Sequence, residues 1–223
     1  MDATINWTVA ALREILPRGC GVAGRYLEPP PDFLTDEEAN RIKDLGDARR
    51  SDFLAGRRAA HQALAQIGIL NAAVASGPTN EPIWPGGIVG SISHTHGMAV
   101  AAVAPTNVLA AVGIDIERTG AVTSDVWPEV LQASELAVVT SQQGATKDQL
   151  ATAIYCLKEA FYKYQYPHAR QWLEFKDVEI LIGGNTNPCR IRPRQRITVA
   201  GLERAEFSGH YRIGELITVA AVF

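Results

Sequence analysis

Two octapeptides far apart in the chain carry nearly one pattern. Gly97–Met98–Ala99–Val100–Ala101–Ala102–Val103–Ala104 closely resembles Leu216–Ile217–Thr218–Val219–Ala220–Ala221–Val222–Phe223. Each follows a helix-bearing segment of about a hundred residues and a short strand. This internal similarity predicts two alike halves rather than a long tandem array. The expected fold is mixed α+β: two similar α/β halves related by pseudo-two-fold symmetry, at residues 1–112 and 113–223. A length of 223 residues suffices for a substantial core in either arrangement.

The junction of the halves holds the most unusual stretch, Ala110–Ala111–Val112–Gly113–Ile114–Asp115–Ile116–Glu117. It reads as an apolar strand ending in alternate carboxylates. Val112, Ile114 and Ile116 share one face, and Gly113, Asp115 and Glu117 the other. Adjacent acids on a buried strand repel each other and resist desolvation. A divalent cation relieves both effects, and carboxylate oxygens suit magnesium. A strand running out into solvent with hydrated acids is the competing reading. Gly113 admits a ligand or another backbone at close range.

The remaining chain alternates helix and strand signals. Residues 4–16 have helical spacing, and Pro17 with Gly19, Gly21 and Gly24 breaks it. Pro29–Pro30–Pro31 marks an extended loop. Thr35 and Glu38 form a capping-box signature for a helix that runs, with a break near Gly46, to the vicinity of Gly68. Arg49 and Arg57 lie eight residues apart, a little over two turns, so they can share a side. They suit phosphate oxygens or are simply exposed helix arginines. Residues 88–94 and 98–104 predict a hairpin. Ser93 and His94 point to opposite faces and cannot form a nucleophile–base dyad with each other. His94 suits donation to a phosphate or a structural place. Residues 124–137 look helical with Trp127 and Leu131 inward. Residues 148–166 are the clearest helix, with Leu150, Ile154, Leu157, Phe161 and Tyr164 as a buried stripe and Pro167 as its end. Lys158, Glu159, Tyr162 and Lys163 fall on an adjoining side, where Glu159 and Lys163 also form an ordinary helix pair. Short strands are expected from Trp172 onward.

Charge and cysteines narrow the classes further. A net charge of −3 argues against wholesale nucleic-acid binding. No apolar run of about 18 residues is present to span a membrane, and Met1–Leu12 lacks a signal-peptide pattern. Cys20, Cys156 and Cys189 suggest a reducing cytoplasm rather than a disulfide framework. Acids cluster at Glu28, Asp32, Asp36, Glu37 and Glu38, followed by Arg41, Lys43, Arg49, Arg50, Arg57 and Arg58. Arg190, Arg192, Arg194 and Arg196 alternate around Pro193, which reads as a charged edge strand in preference to a surface for an acidic partner.

Taken together, these motifs resemble the 4′-phosphopantetheinyl transferases, specifically the monomeric two-half type typified by enterobactin-synthase activators. The carrying segments are Phe53–Leu54–Ala55–Gly56–Arg57 with Ala60, Glu81–Pro82–Ile83–Trp84–Pro85 and Gly90–Ser91–Ile92–Ser93–His94. They continue with Val112–Gly113–Ile114–Asp115–Ile116–Glu117, Leu157–Lys158–Glu159–Ala160–Phe161–Tyr162–Lys163 and Trp172–Leu173–Glu174–Phe175. The match is ordered from about Arg49 to Phe175.

The resemblance implies a holo-[acyl-carrier-protein] synthase type of activity. Phosphopantetheine would pass from coenzyme A, held in the cleft between the halves, to a serine of an apo carrier protein, an acidic partner. Adenosine 3′,5′-bisphosphate would leave. The carriers would be domains of siderophore, polyketide or fatty-acid synthases. By the same resemblance, Asp115, Glu117 and Glu159 would hold Mg²⁺. Glu159 would deprotonate the serine, with Glu117 the other candidate, and Lys163 would stabilise the leaving group. Lys158 and Lys163 would contact coenzyme A phosphates, Arg49 and Arg57 would clamp the 3′-phosphate, and Ser93 and His94 would donate to the phosphates. One departure stands out. Where many relatives carry a lysine toward the 3′-phosphate, the loop Gly77–Pro78–Thr79–Asn80–Glu81–Pro82 offers Thr79. A Mg²⁺-dependent hydrolase of coenzyme A or nucleotides, or a catalytically silent coenzyme A-binding protein, are the rival readings.

Overall fold

The computed structural model describes residues 3–26, 34–144, 146–182 and 188–223. Glu28, the Pro29–Pro31 loop and Asp32 lie outside the described residues. The chain divides into two compact units, Met1–Val112 and Gly113–Phe223.

In the first unit α1 (Ala3–Ile15) leads into β1 (Gly21–Tyr26), followed by α2 (Asp36–Arg41) and α3 (Asp47–Gln66). Four strands come next: β2 (Ala75–Ser76), β3 (Pro82–Ile83), β4 (Ile88–Thr95) and β5 (Met98–Pro105). Thr35 caps α2 through the reciprocal box with Glu38, and Gly46 opens α3 after a 3₁₀ turn. Glu38 is 1% exposed and also accepts from His61 and from the Val74 amide, so one carboxylate ties α2, α3 and the approach to β2 together. Burial alone would push this carboxyl up, but hydrogen bonds from His61, Thr35 and Val74 hold it below the usual range. The β4–β5 hairpin closes through His96 and Gly97, both at positive φ, as a two-residue primed turn requires. β5 is flanked by β1 and β4. Small side chains on α3 (Ala59, Ala60, Ala63) meet Ala101 and Val103 of β5 and Ala23 of β1. The approach is so close that a Cβ on Gly21 would sit 2.0 Å from the Ala63 carbonyl oxygen.

The second unit starts with β6 (Gly113–Arg118), α4 (Trp127–Val130), α5 (Ala133–Thr140) and α6 (Thr146–Ala169). Strands β7 (Val178–Leu181), β8 (Cys189–Pro193), β9 (Ile197–Val199), β10 (Leu202–Arg204), β11 (Phe207–Ile213) and β12 (Ile217–Val222) complete it. The main sheet runs β6-β12-β11-β8-β7, with antiparallel pairing throughout. Ile154, Leu157, Phe161 and Tyr164 of α6 are buried. The fold is mixed α+β, and the resembling octapeptides are β5 and β12. Each is flanked by its hairpin partner and by a strand whose first residue is a glycine under a helix.

Four expectations need correction. The junction strand begins at Gly113, not Ala110, because β12 pairs only from there on. The helix expected over 124–137 is two short ones, since Leu131 is extended and Gln132 starts a new capping box with Glu135. Pro167 does not end α6. It lies in the last turn, where removing one donor costs little of the remaining ladder, and the helix continues to Ala169. β8 is no edge strand: it lies between β11 and β7, and Pro193 is merely its last residue. Arg192 of β8 pairs with Glu206 at 3.2 Å, and past the strand end Arg194 pairs with Asp177 at 3.5 Å and Arg196 with Glu203 at 2.9 Å. Among the described residues no helix is long and apolar enough to cross a membrane.

Candidate active site

β6 presents its acids to α6. The glycine face of the strand is fixed by packing, since a Cβ on Gly113 would fall 1.9 Å from the Ala160 carbonyl oxygen. Two residues on, the same alternation carries Asp115 toward the helix, where its Oδ1 meets Lys163 Nζ at 2.7 Å. Glu117 follows on that face near the strand end and accepts from the Arg118 amide at 2.6 Å. Glu159 stands one turn before Lys163 on α6, half-buried. Burial pushes its carboxyl up; Lys163 opposes that shift and the Asp115 charge adds to it. Burial likewise raises the Tyr155 hydroxyl, and the charges of Glu159, Asp115 and Glu117 raise it further, so one neighbourhood contains all three acids.

Whether a hard cation fits depends on that donor set. Among the described residues no three His, Cys, Asp or Glu side chains converge into a ready cage. Magnesium rarely uses such a cage; it takes one or two carboxylates and completes its shell with phosphate and water oxygens. Three mutually repelling carboxylates near one ammonium form an oxygen-rich, charge-deficient set of that kind, and they fit the ion.

Glu159 also borders a cavity of about 470 Å³, shared with Tyr162, Trp172, Leu173 and Phe175. Trp172 is 76% exposed and meets the Tyr162 ring edge-on, with centroids 5.6 Å apart. The expectation for Lys158 is overturned. Its Nζ donates to the Val130 carbonyl, Glu135 and the Phe175 carbonyl at 2.8, 2.7 and 2.9 Å, which engages all three ammonium protons. Burial lowers this amine and Glu135 supports it, so Lys158 is a structural cation, not a phosphate contact.

The first unit holds a basic cavity of about 550 Å³ lined by Arg41, Arg49, Arg57, Ser76, Asn80 and His94, among others. Arg49 and Arg57 do share a side of α3. Arg57 is 5% exposed; its guanidinium lies over Phe53 at 4.4 Å and donates to the Ala75 carbonyl and the Ser76 hydroxyl. Its Nε has no partner. Burial brings it down to about 10, against support from Glu38, which leaves the cation intact at neutral pH. A buried, incompletely satisfied guanidinium facing a cavity is an anion site in waiting. His94 is exposed into this cavity. Ser93 is 3% exposed on the other face of β4 and does not border the cavity, so it is not brought beside His94.

Thr79 is also turned away from phosphate work, because its amide and hydroxyl both donate to Glu81 at 3.0 and 2.7 Å. Sequence reasoning missed Arg41 as a lining residue. Its guanidinium donates to the Asn80 side chain, bringing a charge from α2 to the loop that lacks the lysine. The signal was a basic residue in the last turn of a capped helix, which by itself also describes ordinary dipole pairing.

Comparisons with known proteins give the family. The N-terminal domain model of the 4′-phosphopantetheinyl transferases matches residues 37–104, and the 4′-phosphopantetheinyl transferase superfamily model matches residues 111–214. The chain is 34% identical to the 4′-phosphopantetheinyl transferase Npt of Nocardia iowensis over 76% of this chain and 75% of that protein. It is 32% identical to PptT of Mycobacterium tuberculosis over 79% and 77%, respectively. Identity to enterobactin synthase component D of Salmonella typhi is 31%, over 59% of this chain and 55% of that protein. The chain belongs to the 4′-phosphopantetheinyl transferase family.

Proposed function

We propose that this protein transfers 4′-phosphopantetheine from coenzyme A to a serine of an apo carrier protein in a Mg²⁺-dependent reaction that releases adenosine 3′,5′-bisphosphate. The observation that carries the proposal is the Asp115–Lys163–Glu159 cluster formed where β6 meets α6. Asp115, Glu117 and Glu159 are the residues that would hold the metal, which supplies charge neutralisation to the pyrophosphate when bound. Glu159, its carboxyl raised by burial, takes the proton of the carrier serine; Glu117 is the alternative base. The serine oxygen bonds to the phosphorus nearer the pantetheine, the bridging P–O bond breaks, and the electron pair leaves with the adenosine bisphosphate. Lys163 steadies that leaving charge. Arg49, Arg57 and His94 take the 3′-phosphate region, with Arg41 beside them.

Carrier domains of siderophore synthesis are the partners suggested by the similarity to enterobactin synthase component D. The matching test incubates the protein with apo carriers, coenzyme A and Mg²⁺ and weighs each carrier. Mass gain by one prosthetic arm is expected. Coenzyme A cleavage that proceeds equally without a carrier would favour a hydrolase instead.

A further inference from the structure

The Asp115 carboxylate is 8% exposed, and the Lys163 ammonium that meets it at 2.7 Å retains 28% of its side-chain exposure. The pair is thus asymmetric: the acid is fixed in the strand, while the cation sits at the end of a flexible stem that can reach water. Asp115 is held from a second direction too. The fully buried Cys156 thiol on α6, two turns before Lys163, hydrogen-bonds the same carboxylate. Gly113 allows this clasp, because only a residue without a side chain lets α6 lie so close to β6.

A carboxylate held by a buried thiol and capped by a partly exposed cation is pre-positioned for exchange of that cation. We propose that Lys163 is the resident counter-ion of Asp115 and that a divalent metal must displace it, freeing the ammonium for the phosphates. The inference rests on the metal reading given above. In the metal-free protein the lysine spares a nearly buried carboxylate from standing unpaired, which is costly in a low-dielectric setting. Lysine and metal then compete for one oxygen donor. The lysine therefore lowers metal affinity while preserving the fold, and this opposition is specific to a residue bonded to the ligand carboxylate.

Mn²⁺ binding without coenzyme A tests the proposal, with free Mn²⁺ followed by electron paramagnetic resonance. Lys163→Gln should bind Mn²⁺ several-fold tighter than the unaltered protein, Lys163→Arg no tighter, and Lys147→Gln, an equal loss of charge on the same helix, about the same. Thermal unfolding gives a second reading. Lys163→Gln should melt lower than the unaltered protein in chelator and gain more from added Mn²⁺. Equal or weaker Mn²⁺ binding by Lys163→Gln, or equal gains in melting temperature, overturns the competition. Failure of the unaltered protein to bind Mn²⁺ any better than Asp115→Asn overturns the metal reading itself, and with it the inference.

Discussion

Glu159 makes the chemistry at the residue scale testable by pH. Its carboxyl is raised mainly by burial, so at neutral pH the folded state carries the cost of an ion that the unfolded state carries freely. The folded pKa lies above the unfolded one, so this cost grows as pH rises through the interval between them and is absent below it. In chelator, Glu159→Gln should therefore melt higher than the unaltered protein near pH 7, and the gap should close toward the ordinary glutamate range of about 4.3. A gap that widens on acidification contradicts the shift. If Glu159 is the base, transfer should rise over a window displaced upward from that range.

Arg49, exposed on α3, gives a cleaner binding variant than buried Arg57. Arg49→Gln should leave the melting temperature unchanged. Calorimetry should show coenzyme A affinity reduced by about 10-fold or more, since a charged hydrogen bond contributes on the order of 1.5–3 kcal/mol. That Arg49 and Arg57 share a side of α3 was legible because helix geometry interprets their spacing, and both line one cavity with His94. Ser93 and Lys158 misled for the converse reason. A motif names a residue without saying where its atoms bond, and only tertiary partners such as Glu135 and the Phe175 carbonyl decide that.

Among the elements, α6 carries most of the weight. It lies against β6 through Gly113 and is tied to α4, α5 and the turn before β7 through Lys158. Gly113→Ala should cost at least about 1–3 kcal/mol in chemical denaturation, because the strand and helix backbones must move apart. Wild-type stability in that variant would mean that the helix can shift freely. Lys158→Met should cost about 3–5 kcal/mol by leaving Glu135 buried and unpaired. Adding Glu135→Leu should recover part of that loss, and no recovery would contradict a stabilising ion pair.

Periodicity made α6 readable, and the Thr35–Glu38 box marked a helix start correctly. The elements that were misread depended on non-local pairing. The start of β6 is set by β12, more than a hundred residues away, and the interior place of β8 is set by β11 and β7. Pro167 carries a strong local stop signal, but so near the helix end few backbone bonds remain for it to disrupt.

On the scale of the whole molecule, each unit has a strand, β5 or β12, that is flanked by its hairpin partner and by a strand opening with glycine, and the octapeptide match located that strand twice. The repeat was legible because β5 and β12 both need small and β-branched residues under a close helix. The short strands expected after Trp172 include β7 to β10, but their order in the sheets depends on pairing between distant segments and was not legible. The candidate groups fall in both units: Arg41, Arg49, Arg57 and His94 line a cavity of the first, and Asp115, Glu117, Glu159 and Lys163 belong to the second. The central claim is that these groups serve transfer of a prosthetic arm and not hydrolysis. Its most direct measurement is stoichiometry, counting adenosine 3′,5′-bisphosphate released against arms attached to an apo carrier by intact mass. Equal amounts are predicted, with both falling to background in Asp115→Asn or with chelator; adenosine bisphosphate released in excess of carrier modification would contradict the account.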